Sequence, residues 1–292
     1  MELNLKKMPL NKFDIFTYQL SPVSRPQLGL FDENLTREQL MERKNKLFHE
    51  VFKAEVSFYH RRFKLNYRIE HIDKEFILIR LANKKTVSIE KEFHRETFES
   101  EPSCLIAIYN KPEIQIMAIE SDRTSFGTSF TVAKLLTRTL ERELNRLNLR
   151  IAINPKYEEK EFWQLIDRFS GQIEKLRFEF EYPNLPRVND TLSEELKQAS
   201  RNLKSEKTKI EFDAAKNEVL DNLDEDNSEL SDLVKASSEG AGPAKIKVKG
   251  YRHWETTANK VKSVEFDELE VDLPNTEVED YVQALKDLLK NG

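Results

Sequence analysis

The chain has 292 residues, of which 38% are hydrophobic and 34% are charged, and its formal net charge is −5. This length suits one large domain or two medium ones. Because the chain as a whole is not a polycation, any affinity for nucleic acid has to come from local patches of lysine and arginine. Seven glycines are too few for extended glycine-rich cofactor loops, and no cofactor is predicted.

Cys104 is the single cysteine, which excludes an intrachain disulfide and a cysteine-rich zinc site. It lies in the apolar run SCLIAIY and is predicted to be a buried structural thiol. The N-terminal residues MELNLKKMPLNKFDIF lack the apolar core of a secretion signal. No segment reaches the ~18 consecutive apolar residues of a membrane helix. We therefore expect a cytoplasmic protein without membrane insertion.

The first half of the chain predicts strands around an early helix. Residues 12–20 alternate apolar and polar side chains and predict a strand, and a loop containing proline and glycine follows over 21–34. Thr36 and Gln39 have the spacing of a capping box and predict a helix start. Short strands with turn signals between them predict an antiparallel meander over about 55–120.

The second half alternates predicted strands and helices. The strands cover 149–155, 173–183, 207–212, 244–251 and 260–273, and the helices cover 158–169, 189–204, 227–238 and 278–290. This order resembles a split β-α-β sheet. The predicted fold class is α+β, with an antiparallel meander lobe over 1–147 followed by a split β-α-β-like lobe with added helices over 148–292.

The clearest predicted helix covers about 129–147 and carries two stripes. Its apolar stripe consists of Leu136, Leu140, Leu144 and Leu147. Its cationic stripe recurs every four residues and consists of Lys134, Arg138, Arg142, Arg146 and Arg150. Such a stripe can contact several phosphates without distinguishing bases. The spacing also fits a solvated face on which Glu141 and Glu143 pair with the arginines.

A second cationic cluster covers residues 43–68, where Tyr59 and Tyr67 are interleaved with the cations as on nucleic-acid-binding surfaces. Its members are Arg43, Lys44, Lys46, Lys53, Arg61, Arg62, Lys64 and Arg68. Lysines on the strands of a meander also prevent edge pairing, so this alternative stays open.

A third cationic segment follows the glycines of KASSEGAGPAKIKVKGYRHW, residues 235–254. Gly240 is predicted to end a helix in the left-handed conformation, and Gly242 with Pro243 to turn the chain. The strand that follows places its lysines on one face, and the candidate phosphate contacts are Lys245, Lys247, Lys249 and Arg252. A solvated lysine face is the alternative interpretation.

Catalytic signatures are weak, and no catalytic residue or metal ligand is predicted. The five histidines do not have metal-ligand spacing, and no nucleophile elbow is present. Three carboxylates and one glutamine near two candidate strands leave a metal-dependent nuclease as a minor alternative, through Glu101, Glu113, Gln115 and Glu120. Glu120, Asp122 and Arg123 precede a predicted helix start, where they fit either an anion site or simple capping.

Three stretches resemble a loose group of small bacterial and phage proteins. They are SCLIAIYNKPEIQIMAIESDRTSFGTSFTVAKLL, LRIAINPKYEEKEFWQLI and SEGAGPAKIKVKG, within about residues 100–250. The group includes the phage-exclusion protein Rex A and uncharacterised proteins found near phage-defence genes. The resemblance implies a cytosolic defence role, a homodimer, and contact with DNA without strong sequence preference. It transfers no catalytic residue to this chain.

The sequence thus predicts an antiviral, phage-exclusion protein that binds DNA or another nucleic acid through a positive groove, largely independently of sequence. Two acidic stretches, 218–232 and 265–280, are expected to restrict access to that groove until a trigger is present, and solvated acidic loops are their default interpretation. The alternative is a subunit that binds and regulates a partner defence protein through its aromatic and acidic surfaces.

Overall fold

The computed structural model describes most residues of the chain. They are 10–23, 35–54, 56–60, 62–112, 114–181, 198–199, 202–203, 205, 207–267 and 275–291. The predicted helix over 189–204 lies largely outside them.

The described residues form fifteen strands and five α-helices, which confirms the α+β class. The strands are β1 (Leu10–Pro22), β2 (Tyr59–His60), β3 (Phe63–Lys64), β4 (Tyr67–Ile72), β5 (Phe76–Ala82), β6 (Lys85–Lys91), β7 (His94–Ser100), β8 (Ser103–Asn110), β9 (Gln115–Glu120), β10 (Leu149–Pro155), β11 (Ile173–Glu181), β12 (Lys207–Asp213), β13 (Ala244–Val248), β14 (Glu255–Thr256) and β15 (Ser263–Asp267). The helices are α1 (Arg37–Lys53), α2 (Ser129–Asn145), α3 (Glu159–Arg168), α4 (Ser228–Ala236) and α5 (Asn275–Asn291).

The chain divides into two compact units. Unit 1 contains Met1–Asp14, Pro22–Ile151 and Ser263–Gly292, and unit 2 contains Ile15–Ser21 and Ala152–Lys262. The sequence-based division at 147/148 keeps the last thirty residues with the second lobe. The structure groups them with unit 1, because β15 pairs with the first five residues of β1.

The largest sheet has the strand order β10-β1-β9-β8-β5-β4, with β15 also paired to β1. Residues of β1 and β10 are divided between the two units. The predicted meander is confirmed for β4, β5, β8 and β9, which pair antiparallel. Strands β8 and β9 are buried along nearly their whole length, which explains why they are continuously apolar rather than alternating.

Helices α1 and α2 of unit 1 begin and pack as the sequence predicts. Thr36 and Gln39 form both hydrogen bonds of the capping box at the start of α1. In α2, Leu136, Leu140 and Leu144 are fully buried. The helix ends at Asn145, two residues before the predicted end. It therefore contains three of the four leucines of the predicted stripe, and Leu147 follows the helix.

Unit 2 contains a four-stranded antiparallel sheet in the order β12-β11-β13-β14. Strand β11 pairs antiparallel with both β12 and β13, whereas β10 belongs to the largest sheet. The strands and helices therefore alternate as in a split β-α-β arrangement, but the pairing partners differ. The sheet packs against α3 and α4 through a core that includes Phe162, Phe178 and Val234.

The glycine-containing segment after α4 forms a single buried π-helical turn, Ser237–Ala241, and then enters β13. Gly240 has φ 89° and ψ 17°, which confirms the predicted left-handed conformation. The Thr17 hydroxyl donates to the carbonyl oxygen of Gly240 over 2.9 Å. A β-carbon at Gly242 would lie 1.9 Å from the backbone oxygen of Glu179. These glycines therefore allow close backbone packing within unit 2.

Candidate nucleic-acid interface

Helix α2 carries the first part of the predicted cationic stripe. Lys134, Arg138 and Arg142 are exposed on this helix, and Arg146 is the residue that caps its C-terminal end. Arg150 is not part of the stripe in the structure. Asn148 adopts a left-handed conformation after the helix, and Arg150 lies in β10. We call the four cations from Lys134 to Arg146 the α2 ridge.

The C-terminal half of the α2 ridge borders a groove of about 600 Å³ in unit 1. Its walls come from the end of α1, from the segment leading into β2, and from the end of α2, through Glu50, Val51, Ala54, Val56, Ser57, Tyr59, Arg142, Glu143, Arg146 and Leu147. The Arg142 guanidinium carbon lies 5.7 Å from the centroid of the Tyr59 ring. Arg142 also donates from Nη2 to the carbonyl oxygen of Ser57 over 3.3 Å. Segments 43–68 and 134–150 therefore meet at this groove, where the first contributes Glu50 and Tyr59 but none of its predicted cations, and the second contributes Arg142 and Arg146.

Ion pairs divide the α2 ridge into a neutralised and an unpaired part. Arg142 Nε lies 2.9 Å from Glu143 Oε1, and Arg146 Nη1 lies 2.6 Å from Glu143 Oε2. This is one of the pairings that the alternative interpretation of the stripe expects. Lys134 and Arg138 are exposed and form no ion pair with any residue in the described part of the chain. The freely available positive charge of the ridge therefore lies at these two residues.

The short hairpin β2–β3 adds cations beside Tyr59. Lys64 is the cross-strand partner of Tyr59, so the two side chains share one face of the hairpin. Arg62 and Lys64 are exposed and have no ion pair among the residues that the structure describes. Arg61 lies outside the described residues. Phe63 is exposed on the other face of this hairpin. The sequence-based prediction does not include it, because that prediction considers only the charged residues and tyrosines of the segment.

The third cationic segment lies in unit 2 and is largely engaged in internal contacts. Lys245 Nζ donates to Glu179 Oε1 over 3.1 Å. Lys247 Nζ donates to the carbonyl oxygens of Tyr251 and Arg252. Lys249 and Arg252 are exposed, and neither forms an ion pair within the described ranges. Half of this predicted phosphate-binding segment therefore stabilises unit 2 itself.

Glu179 is the centre of a charged network on the outer face of the four-stranded sheet. Lys207 Nζ lies 2.7 Å from Glu179 Oε2, opposite the contact with Lys245. Burial alone would raise the pKa of Glu179, but the hydrogen bonds and charges of Lys207 and Lys245 outweigh it and lower the pKa to about 2. Nearby cross-strand pairs, Lys175 with Asp213 and Arg177 with Glu211, extend the network.

Replacing Glu179 by glutamine is expected to destabilise the protein by about 2 kcal/mol at pH 7, because two lysines lose their shared charged acceptor. The folded pKa lies below the ordinary value of 4.5, so the stabilisation is complete above about pH 4.5 and is lost as the pH falls towards 2. Urea unfolding between pH 7 and 3 should therefore show a shallower pH dependence in the variant. Asp213→Asn, at a more exposed pair, should cost under about 1 kcal/mol. Equal losses for the two variants would contradict the central role of Glu179.

The carboxylates suggested for a nuclease have structural partners where they are described. Glu120 accepts hydrogen bonds from the Asn11 side chain and from the backbone N–H of Leu105. Asp122 accepts hydrogen bonds from the backbone N–H groups of Thr124 and Ser125, which matches the capping alternative. Glu113 lies outside the described residues. Among the described residues, no group of three or more histidine, cysteine, aspartate or glutamate side chains is placed to hold a metal ion.

Cys104 is fully buried, as predicted, and burial raises the pKa of its thiol. A thiol that stays protonated is a poor nucleophile, so Cys104 has the properties of a packing residue.

Comparison with protein-family models, with curated proteins and with solved structures finds no match to this chain. Within the described ranges, no helix combines the length and the apolar character needed to cross a membrane.

Proposed function

We propose that the chain binds single-stranded nucleic acid, largely independently of sequence, along the α2 ridge and the β2–β3 hairpin. The observation that carries this proposal is the cation–π contact of Arg142 with Tyr59, which brings two segments distant in sequence to one groove. Lys134 and Arg138 on α2 and Arg62 and Lys64 on the hairpin supply cations without internal ion pairs among the described residues.

The aromatic ring favours a single strand over a duplex. Tyr59 is exposed and lies among cations, an arrangement in which a base stacks on the ring while the flanking phosphates are neutralised. A duplex keeps its bases stacked on one another, so it would gain only the phosphate contacts. Because ring faces and phosphates are common to all nucleotides, such a surface discriminates little between sequences.

Replacing Tyr59 by alanine is expected to weaken the binding of a labelled oligothymidine of about 12 nucleotides by roughly tenfold, the loss of one stacked base. Fluorescence anisotropy at low salt measures the affinity. Tyr251→Ala removes a similarly exposed tyrosine from unit 2 and should leave the affinity unchanged. Absence of binding by the wild-type chain at 20–50 mM salt would refute the proposal, as would preference for a duplex of equal length.

The resemblance to phage-exclusion proteins suggests what this binding is for. We propose that it contributes to antiviral defence, where recognition independent of sequence would let one protein act on the nucleic acids of many phages. Plating efficiency of phage on cells with and without the chain tests this role, and equal plating would count against it.

A further inference from the structure

The hairpin β6–β7 is a projecting arm with an apolar face. Within the described residues its two strands pair only with each other, and nearly all of their residues are exposed. With seven residues in each strand the arm is about 23 Å long. At its base, Lys85 Nζ donates to the carbonyl oxygen of Thr124 over 2.5 Å. An isolated two-stranded hairpin is only marginally stable in water, so the arm would be stabilised by a partner.

Exposed apolar side chains concentrate on this arm. Nine large apolar side chains are exposed in the described part of the chain, and four of them are Val87, Ile89, Phe93 and Phe98. Val87 and Phe98 are cross-strand partners, and Ile89 follows on the same face. Contiguous exposed apolar surface of this kind is typical of protein–protein contacts.

The tip of the arm places a phenyl ring in the solvent at a conformational cost. Phe93 is 98% exposed, and both Glu92 and Phe93 have left-handed backbones, with φ values of 51° and 66°. A two-residue turn of this type favours Asn-Gly, and a bulky residue there costs on the order of 1 kcal/mol or more. A phenylalanine at this position does not stabilise the isolated hairpin. Its presence therefore indicates that the ring contacts a partner.

Unit 2 contains a pocket that fits a single phenyl ring. Its volume is about 180 Å³, and its apolar lining consists of Leu176, Phe212, Leu220, Leu223, Leu230 and Leu233. Apolar cavities of about 150 Å³ accommodate benzene. Asp221 and Glu229 also border the pocket and add negative charge.

One cation on the apolar face next to the tip of the arm, Lys91, complements that pocket, whereas Glu92 in the turn itself carries a negative charge. Lys91 and His94 are cross-strand partners on the apolar face, next to the tip, whereas Glu90 pairs across with Arg95 on the opposite face. Glu96 also lies on the apolar face, but farther from the tip beside Ile89. The arm as a whole carries four carboxylates against three lysine and arginine side chains, which argues against insertion into nucleic acid.

We infer that the chain self-associates by inserting Phe93 of one copy into the Leu220–Leu233 pocket of a second copy. The ring fills the apolar pocket, and Lys91 faces the acids at its border. The partner is therefore another molecule of the same chain, in agreement with the homodimer expected from the sequence. This inference is independent of the nucleic-acid surface, since none of its residues belongs to the α2 ridge or the β2–β3 hairpin.

Sedimentation equilibrium of the full chain between about 1 and 100 μM tests the inference. The wild-type chain is expected to self-associate, and Phe93→Ala to weaken association about 10- to 100-fold, as expected for an exposed phenyl ring that loses its burial site. Phe63→Ala is the matched control, since it removes another exposed phenylalanine from a hairpin and should leave association unchanged. A wild-type chain that stays monomeric, or a Phe93→Ala variant that associates normally, would overturn the inference.

A mixing experiment identifies the pocket as the acceptor. Leu223→Lys places a charge in the lining at a partly buried position and should also prevent self-association. An equimolar mixture of Phe93→Ala and Leu223→Lys retains one intact ring and one intact pocket, and should form a 1:1 complex at concentrations where each variant alone stays monomeric. Failure of the mixture to associate, with both variants folded by circular dichroism, would exclude this pocket as the acceptor.

Discussion

Replacing Lys134 and Arg138 together by glutamine is expected to lower the affinity for a single-stranded oligonucleotide by about 10- to 100-fold at 50 mM salt. These two ridge cations have no ion pair among the described residues, so their charge is available to phosphates. Each phosphate contact on a single strand contributes about 0.7 to the slope of log K against log salt, so the double variant should lower the slope by about 1.4. A salt series of anisotropy titrations measures both quantities.

A matched double variant separates a local site from the effect of net charge. Lys216→Gln with Lys235→Gln removes the same number of charges from exposed positions in unit 2. This control should leave both affinity and salt slope nearly unchanged, because no nucleic-acid contact is proposed there. Similar losses in the two double variants would mean that binding follows net charge alone, and the α2 ridge would then not be a site.

Replacing the ridge arginines nearest the groove is expected to lower the affinity for the oligonucleotide less than replacing Lys134 and Arg138. Arg142 and Arg146 share the carboxylate of Glu143, so a phosphate has to compete with an existing ion pair. Short-range spacing along α2 could predict the pair of Glu143 with Arg146, three residues away, but not the pair with the adjacent Arg142. The same spacing could not reveal which of the five predicted cations stay on the helix, since that depends on where the helix ends.

Local patterns predicted the elements, whereas the contacts that shape the candidate site depend on residues far apart in sequence. The capping box at Thr36 and the buried leucines of α2 follow from spacings of three or four residues. The approach of Arg142 to Tyr59 joins segments more than eighty residues apart, and no local pattern encodes it. The packing of the two helices and of β2 places these residues together.

The charge pattern of the sequence was least informative for the polar face of strand β13. Lys245 and Lys247 alternate with apolar residues, which correctly predicts a strand with one polar face. Their partners, Glu179 and the backbone of Tyr251 and Arg252, are set by strand register and by the turn after β13. The register between β11 and β13 cannot be read from the sequence of either strand alone. The sequence therefore does not distinguish a lysine in an ion pair from a lysine without one.

Replacing Gly242 by alanine is expected to cost about 3 kcal/mol or more and to lower the thermal midpoint by roughly 10 °C. The new β-carbon would lie 1.9 Å from the carbonyl oxygen of Glu179, which belongs to the central strand of the unit 2 sheet and cannot move away cheaply. The backbone conformation of Gly242, with φ 153°, adds strain of its own for any other residue. Differential scanning calorimetry of the full chain measures the effect.

Gly250 separates conformational strain from steric overlap. It also has a positive φ, 79°, but a β-carbon there would meet no atom within 4 Å, so Gly250→Ala should cost only about 1–2 kcal/mol. Gly240→Ala should lie between the two, because its β-carbon meets the Thr17 side chain at 2.2 Å, and a side chain can rotate where a strand carbonyl cannot. If Gly242→Ala is no worse than Gly250→Ala, the π-helical turn does not pack against β11 as described. The larger loss at Gly242 would instead show that this glycine is required for the close approach of its backbone to β11.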